Sequence, residues 1–365
     1  MKRRDLIKSL GAGTLLAGGL AACSRESAGP GTASRSGEKL RWNMVTTWPK
    51  NFPGLGSAAE YLAQLIGELS SDRLTVHVYG AGERVPALEV FDAVSRGAAE
   101  MGHSAAYYWK GKTPAAPFFT SVPFGLTAQE MNGWLYFGGG LELWRELYAP
   151  FNLVPFEAGN TGTQMGGWFR REIRSLADLK GLKMRIPGLG GEVMQRLGVT
   201  TVNIPGGELF TAMQSGTIDA TEWVGPYNDL AFGLYKTAKY YYYPGWQEPG
   251  PTLECIVSKN AFESLPKDLQ AVVRYACQAT GANMLAEYAG RNQAALETLV
   301  SKHSVKLLPF PDDVMLALRE ASAQVLKELV ANDSFSRKVY ESVEQFRRKS
   351  AASTAIAEKA YLDMR

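Results

Sequence analysis

The sequence predicts an α/β protein of two lobes, with a cleft between them and a long helix at the C-terminal end. Strand-like apolar runs alternate with segments of helical spacing, which is the pattern of α/β layers. One pattern of helix, glycine and strand occurs twice, 119 residues apart, as expected of two similar lobes. A length of 365 residues is enough for two domains and a sizeable core.

The first lobe begins near Lys39 with alternating strands and helices. Leu40–Val45 and Leu74–Tyr79 alternate between apolar and polar residues and predict strands. Ala58–Leu69 has apolar residues at helical spacing and predicts the helix that joins them. Leu88–Arg96 predicts a second helix, so the chain follows the order strand, helix, strand, helix.

The repeated pattern covers Glu89–Glu100 and Glu208–Asp219, which share the frame E-x-F-x-A-[VM]-x-x-G-x-x-[ED]. Such a frame predicts a helix with an apolar face, a glycine that ends it, and a buried strand. Any turn from helix to strand through glycine has similar features, so coincidence is one interpretation. The other is two similar lobes that face each other across a ligand cleft.

The segments that follow each copy are polar and aromatic. They are His103–Trp109 in the first copy and Thr221–Tyr227 in the second. In open α/β sheets, ligands bind at the carboxyl ends of the strands, where these segments emerge. Farther along, Gly188–Gly191 predicts a loop before a helix over Glu192–Leu197, and residues 335–365 predict a C-terminal helix.

The first 22 residues predict an export signal. The twin arginine Arg3-Arg4 precedes an apolar stretch that is too short to span a membrane. These residues hold four basic side chains and one acidic side chain, which accounts for the whole net charge of +3. The match to a twin-arginine signal is imperfect, so export by the general route stays an alternative.

The end of this signal, Leu20–Cys23, resembles a lipoprotein box. It predicts cleavage before Cys23 and attachment of lipid to that cysteine. A plain cleavage site with an incidental cysteine is the alternative. Residues 23–38 are rich in serine, glycine and alanine and predict a flexible tether.

The remaining composition excludes several classes of protein. Basic and acidic residues balance after the signal, so no overall charge favours nucleic acid. The three histidines lack metal-binding spacing, and the sequence has no phosphate-binding loop or nucleophile elbow. Cys255 and Cys277 lie in apolar runs and predict buried free thiols, with a disulfide as the alternative.

Three polar side chains set among aromatic residues are the candidates for chemistry: Gln164, Arg185 and Glu222. Arg185 offers a planar fork that matches a carboxylate, although a surface arginine has the same sequence signature. Glu222 follows a buried strand, where a carboxylate needs a cationic partner. A hard cation such as Na⁺ or Ca²⁺, or a salt bridge to Arg185 or Lys183, would supply one.

Four blocks of the sequence resemble one known family. They are Gly162–Ile173, Asp178–Arg185, Gly216–Pro226 and Tyr240–Trp246. Together they are similar to the solute-binding proteins of tripartite ATP-independent periplasmic (TRAP) transporters, and most similar to the branch that binds α-keto acids. The resemblance extends over roughly residues 39–350.

The resemblance implies a periplasmic binding protein fold with the ligand cleft between its lobes. Lobe 1 is expected to comprise residues 39–162 plus about 250–290, and lobe 2 residues 163–249 plus about 291–345. Residues 346–365 are expected to form a C-terminal helix that can mediate dimerisation.

The resemblance also implies roles for individual residues. Arg185 would clamp the carboxylate of the ligand, and a cation would bind Gln164, Glu222 and the backbone carbonyl of Trp223. A tyrosine at 107 or 108 would hydrogen-bond the ligand, and aromatic residues near 48–52 would form a wall. The predicted ligand-binding residues are Trp48, Phe52, Tyr107, Tyr108, Asn160, Gln164, Arg185 and Trp223.

The expected function is capture of a small 2-oxo monocarboxylate such as pyruvate, together with a metal cation, for delivery to a TRAP membrane permease. Sodium is the expected cation, calcium is the alternative, and no organic cofactor is expected. A 2-hydroxy acid such as lactate, bound with calcium, is an alternative ligand. The expected location is the periplasmic side of a bacterial membrane, with a lipid anchor at Cys23. A twin-arginine-exported enzyme and a scaffold are the hypotheses from other classes.

Overall fold

The computed structural model describes residues 39–365, which contain eleven strands and eleven helices of six residues or more. The strands are β1 (Leu40–Thr46), β2 (Leu74–Tyr79), β3 (Met101–Ser104), β4 (Leu153–Asn160), β5 (Gly167–Phe169), β6 (Lys183–Arg185), β7 (Thr200–Val202), β8 (Ala220–Thr221), β9 (Tyr240–Tyr243), β10 (Thr252–Ser258) and β11 (Lys306–Pro309). The helices are α1 (Leu55–Ser70), α2 (Val90–Ser95), α3 (Ala128–Phe137), α4 (Gly140–Tyr148), α5 (Gly188–Arg196), α6 (Leu209–Ser215), α7 (Pro226–Phe232), α8 (Lys259–Ser264), α9 (Lys267–His303), α10 (Asp312–Asn332) and α11 (Ser334–Thr354).

The strands form two separate sheets, and each sheet is the centre of one lobe. The sheet of lobe 1 has the order β2-β1-β3-β10-β4, and that of lobe 2 has the order β11-β9-β5-β8-β6-β7. In lobe 1, β1 is parallel to β2 and β3, whereas β10 is antiparallel to β3 and β4. In lobe 2, β6 is parallel to both β7 and β8. The two-lobed α/β fold is the one that the sequence predicts.

The chain crosses between the sheets at two short segments and along one helix. The first crossing joins β4 to β5 over residues 161–166, and the second joins β9 to β10 over residues 244–251. Helix α9 packs on α1 and β4 of lobe 1 and also on α7 of lobe 2. The expected lobe limit near residue 290 therefore falls inside a helix that both lobes share.

The C-terminal helix begins within one residue of the helical pattern predicted from residue 335, and it returns to lobe 1. Helix α11 begins at Ser334, so the domain boundary expected at 346 lies within it. Its buried Val339 and Val343 form a stripe that packs against α3 and α4. Trp134 on α3 donates to the hydroxyl of Ser342 at 3.1 Å. Residues 334–345, expected in lobe 2, thus contact lobe 1, because that lobe provides the apolar surface for this stripe.

The repeated sequence pattern folds in the same way in both lobes. Helix α2 leads through Gly97, at φ 74°, into β3, and helix α6 leads through Gly216, at φ 77°, into β8. A left-handed residue after a helix is the usual place for glycine, since it has no Cβ to clash. Both strands lie inside their sheets, so both units end in the cleft between the lobes.

The glycine-rich segment after β6 differs from the sequence-based expectation. Gly188–Gly191 was expected as a loop, but it is the first turn of α5. The close approach of Gly190 to Ile186 and Gln247 explains why these positions lack side chains. Cys255 and Cys277 are both buried and free. Among the helices of residues 39–365, none is both long and apolar enough to cross a membrane.

Candidate functional site

Arg185 lies at the point where the parallel strands of lobe 2 end. It is the last residue of β6 and pairs with Thr221, the last residue of β8. The next residue after β8 is Glu222, so the side chains of Arg185 and Glu222 meet at one edge of the sheet. Both are buried, with 1% and 0% of their surfaces exposed.

The guanidinium of Arg185 is held from several sides. Its Nε donates to the carbonyl of Ile204 at 3.2 Å, and its Nη1 donates to Glu222 Oε1 at 2.5 Å. Its Nη2 donates to the hydroxyl of Tyr108 at 3.3 Å, which joins lobe 2 to lobe 1. The group lies 5.1 Å from the ring centre of Trp223. The fork therefore occupies a fixed position in the cleft, where it faces both lobes.

Glu222 is a completely buried carboxylate with one cationic partner. Burial raises its pKa above the usual range, and the charge of Arg185 opposes that rise. Only Oε1 is paired with Arg185, while Oε2 has no hydrogen-bond partner among the described residues. Such an oxygen is costly to leave unpaired away from water.

Three more oxygens near the crossing segments share this property. Within residues 39–365, the side-chain carbonyl oxygens of Gln164 and Gln247 and the Oε2 of Glu248 are buried and have no hydrogen-bond partner. Gln164 and Glu248 lie on opposite crossings and are joined by a backbone hydrogen bond of 3.1 Å. All these atoms accept hydrogen bonds, so none can satisfy another. Carboxylate and amide oxygens are the ligand types that Na⁺ and Ca²⁺ prefer, so the chemistry of these groups suits a hard cation.

Glu248 is a functional candidate that the sequence interpretation missed. Burial raises its pKa well above the usual range, the charge of Glu222 raises it further, and Arg185 opposes both. Glu222 and Glu248 therefore lie within electrostatic reach of each other. The available signal was the polar pair Gln247-Glu248, embedded among proline and glycine where the chain returns between the lobes.

Aromatic side chains from both lobes surround the polar groups. Trp48 and Tyr108 of lobe 1 lie 6.3 Å apart between ring centres, and Trp48 lies 6.2 Å from Trp223 of lobe 2. Tyr107 packs edge-on against Tyr108 at 4.7 Å. Phe52 contacts Trp223 at 6.4 Å. The structure thus brings these predicted aromatic residues together around Arg185.

His103 fixes the orientation of Trp48. The indole Nε1 donates to His103 Nδ1 at 2.8 Å, so Nδ1 has no proton and Nε2 donates to the carbonyl of Ala158 at 3.1 Å. Burial lowers the pKa of His103 to about 4. The histidine is therefore a neutral spacer behind the wall of the site.

Asn160 lies at the start of the first crossing, and its amide is already in use. Its Nδ2 donates to the carbonyl of Gly250 at 3.1 Å, and its Oδ1 accepts from the backbone of Gly162 at 2.9 Å. Both bonds tie one crossing segment to the other or to itself. In this geometry Asn160 braces the crossings, while the role in ligand binding expected from the sequence stays a prediction.

Cys23, the predicted site of lipid attachment, and the predicted signal and tether of residues 1–38 lie outside the described residues. The described site contains a buried cationic fork, a set of unpaired oxygens and a wall of aromatic side chains. That combination suits recognition of a small carboxylate together with a cation.

Comparison with known proteins agrees with this geometry. Residues 44–333 match the family described as bacterial extracellular solute-binding protein, family 7 (DctP). The chain is 44% identical over 361 residues to a monocarboxylate 2-oxoacid-binding periplasmic protein of Nostoc sp., covering 99% of this chain and 98% of that protein.

Two solved structures are similar over nearly the whole described chain. One is a TRAP periplasmic solute-binding protein of Pseudoalteromonas atlantica with bound sodium and pyruvate, 45% identical, with a TM-score of 0.87 over 89% of this chain and 99% of that chain. The other is a TRAP transporter solute-binding protein of Bordetella bronchiseptica, 40% identical, with a TM-score of 0.88 over 90% of this chain and 97% of that chain. The latter is described as a dimer with calcium and picolinate in its active site.

Proposed function

The chain belongs to family 7 of the bacterial extracellular solute-binding proteins, and from this premise we propose that it captures a small 2-oxo monocarboxylate with a metal cation. The observation that carries the proposal is that Glu222 and Glu248, both within electrostatic reach of Arg185, each have a buried oxygen without a hydrogen-bond partner among the described residues. Relatives that bind pyruvate with sodium, and picolinate with calcium, support this ligand chemistry.

In the proposed site, Arg185 binds the carboxylate of the acid. Glu222, Gln164 and the backbone carbonyl of Trp223 hold the cation, and Glu248 adds a further oxygen. The bound cation would supply positive charge that attracts the oxygens of a 2-oxo acid. The aromatic residues exclude water, which strengthens each of these charge interactions.

Binding of acid and cation is proposed to be mutually dependent. In the described structure Glu222 Oε1 occupies part of the fork of Arg185, at 2.5 Å. An acid that takes that place leaves the buried carboxylate of Glu222 without its cationic partner. A cation replaces that partner, and the acid in turn compensates Arg185, so each ligand should raise the affinity for the other.

We propose sodium or calcium as the cation, because both bind carboxylate and amide oxygens. Solved relatives contain one or the other: sodium with pyruvate in the Pseudoalteromonas atlantica protein, and calcium with picolinate in the Bordetella bronchiseptica protein.

We assign the protein a receptor role and no chemical reaction, because the polar groups of the site are arranged to bind. His103 is held between Trp48 and the Ala158 carbonyl and is not free for proton transfer. The bound acid is delivered to a TRAP membrane permease after the lobes close on it.

Sequence features near the two ends of the chain support a proposal for the location of the protein and for its oligomeric state. We propose a lipid anchor at Cys23 on the periplasmic side of the membrane, as the lipoprotein box indicates. We also propose a homodimer through the C-terminal segment. Support comes from the dimeric relative and from exposed apolar residues after α11: Ile356, Tyr361, Leu362 and Met364. Truncation after Thr354 should convert a dimer into a monomer in light scattering, and Cys23→Ser should abolish fatty-acid labelling.

Calorimetric titration tests the proposed function. A protein that begins at Lys39 is refolded to remove bound ligand and titrated with pyruvate, 2-oxobutyrate or lactate, each with Na⁺, Ca²⁺ or a chelator. The expected result is cation-dependent binding of a 2-oxo acid. Preference for lactate with Ca²⁺ would change the assigned ligand, and absence of heat with every combination would contradict the proposal.

A further inference from the structure

A loop of lobe 1 inserts against helix α7 of lobe 2 beside the site. The ring of Phe52 stacks on Phe232 at the end of α7, with 4.2 Å between ring centres. The next residue, Pro53, accepts a hydrogen bond through its carbonyl from Asn228 Nδ2 at 2.8 Å. This bond joins the two lobes. Asn228, its donor, is not one of the predicted ligand-binding residues.

The geometry fixes the orientation of the Asn228 side chain. The carbonyl of Pro53 can only accept, so the NH₂ group of Asn228 must face it. The Oδ1 of Asn228 accepts from the hydroxyl of Tyr288 on α9 at 2.7 Å. Asn228 is fully buried, with 0% of its surface exposed, and both ends of its amide are in use.

The backbone of the loop at residues 52–54 allows it to lie close to helix α9. Gly54 has φ 72°, in the left-handed region that favours glycine, and a Cβ there would lie 2.5 Å from the hydroxyl of Tyr288. Any side chain at this position would collide with Tyr288 on α9 and push the loop away from it. Asn228 and Tyr288 together therefore form a polar seat for residues 52–54, buried between the lobes.

The seat is connected to the ligand site by the next residue of α7. Asp229 Oδ2 accepts from Trp168 Nε1 at 2.9 Å and from the hydroxyl of Tyr241 at 2.6 Å. Its Oδ1 lies 3.4 Å from the backbone nitrogen of Val224, in the segment that carries Glu222 and Trp223. Helix α7 thus holds the cation-binding segment on one side and the lobe 1 loop on the other.

We propose that Asn228 is a positioning residue for ligand capture, a latch that holds lobe 1 on lobe 2 when the cleft is closed. The inference rests on the proposed function, because closure has value only if a ligand is enclosed. Loss of the latch lowers the fraction of closed molecules, and apparent affinity falls with that fraction. The loss is the same for every ligand, since Asn228 contacts none of them, and it appears as faster release.

The test compares two Asn228 variants with a matched control in the full chain. Asn228→Asp keeps an acceptor for Tyr288 but replaces the donor to Pro53 by an oxygen, and Asn228→Ala removes both bonds without adding charge. The control is Asn292→Ala, because Asn292 Oδ1 accepts from the backbone of Tyr227 and connects α7 to α9 without bonding to the loop at residues 52–54. Dissociation constants and release rates are measured for pyruvate and 2-oxobutyrate with Na⁺, together with the melting temperature of the unliganded protein.

Both Asn228 variants are expected to bind the two acids about tenfold more weakly, by the same factor and through faster release. The control is expected to bind like the wild-type protein, and small-angle scattering with saturating acid should show a more open Asn228→Ala. Wild-type affinity in both variants, or unequal losses for the two acids, would overturn the latch. If the wild-type protein binds neither acid, the proposed function fails and the latch fails with it.

Discussion

The ends of β3 and β8 differ in chemistry although the same helix–glycine–strand unit leads to each. Three residues after the shared sequence frame, lobe 1 has His103 within β3, which is neutral and supports Trp48. At the same position lobe 2 has Glu222, whose carboxylate pairs with Arg185. The repeated unit is thus shared by the two lobes, while the residue at this position gives each lobe a different chemistry.

The buried carboxylates of lobe 1 also differ from those of the cleft in their hydrogen bonding. In lobe 1, Glu157 accepts from Tyr136 and the Gly159 backbone, and Glu254 accepts from Trp109 and Tyr148, so both oxygens of each are paired. In the described cleft, Glu222 and Glu248 each leave one oxygen without a partner. The paired carboxylates have their hydrogen bonds satisfied within the core, whereas the unpaired oxygens are the ones that we propose bind a ligand.

Removal of Arg185 is expected to have the largest effect on binding. Arg185→Ala should weaken binding of a 2-oxo acid by about 3–5 kcal/mol, because the buried carboxylates lose their cationic partner. Arg185→Lys retains a charge but loses the planar fork, and should recover only part of the affinity. Calorimetry measures both, with thermal melting to establish that each variant folds. Wild-type affinity in Arg185→Ala would remove this residue from the site.

Replacing single carboxylates by amides distinguishes the unpaired carboxylates of the cleft from the paired carboxylates of lobe 1. Glu222→Gln should weaken binding by about 2–3 kcal/mol and abolish its dependence on cation concentration, because a charged oxygen ligand is lost. Glu254→Gln is the matched control in lobe 1 and should leave that dependence intact. Titrations over a range of Na⁺ concentrations provide the measurement. Equal cation dependence in Glu222→Gln and the wild-type protein would contradict the difference drawn between the lobes.

The pH dependence of the free energy of unfolding tests the protonation state of a paired carboxylate of lobe 1. Burial raises the pKa of Glu157 to about 8, so the folded protein holds its proton more tightly than the unfolded chain does. This contribution is fully present below the unfolded pKa of about 4.5 and is lost as pH rises through about 8. The free energy of unfolding should therefore fall between pH 5 and pH 8.

The matched variant for this pH effect is Glu157→Gln, which imitates the protonated carboxyl. Its free energy of unfolding should fall less over the same range, by a difference on the order of a few kcal/mol. Urea unfolding at several pH values measures the difference between the two proteins. Parallel curves would mean that Glu157 is charged in the folded protein.

The smallest expected effect concerns the wall of lobe 1. Trp48→Phe removes the donor to His103 but retains an aromatic ring, and should weaken binding by about 1 kcal/mol. His103 has a pKa lowered to about 4 by burial, so this loss should not change between pH 6 and pH 8. Binding titrations at both pH values measure it. A strong pH dependence would indicate that His103 carries charge in the site.

The features of the fold and the site that depend on local sequence pattern could be predicted from the sequence. The repeated frame predicted two similar units. Arg185 and Glu222 were identified as polar side chains among aromatic residues, and the family resemblance supplied their roles. Glu248 was missed because the resembling block Tyr240–Trp246 ends before it, whereas Gln164 on the other crossing segment lies inside such a block. The lobe that α11 packs against could not be predicted either. The stripe of Val339 and Val343 indicates an apolar contact, but it does not identify the surface on the other side of that contact.

In the proposed site, acid and cation bind together because Glu222 must release Arg185. The most direct test of this coupling is a calorimetric linkage experiment, in which pyruvate affinity is measured at rising Na⁺ or Ca²⁺ and cation affinity at rising pyruvate. The account predicts that each ligand strengthens the other by the same factor. Pyruvate affinity that does not change between a chelator and saturating cation would contradict it.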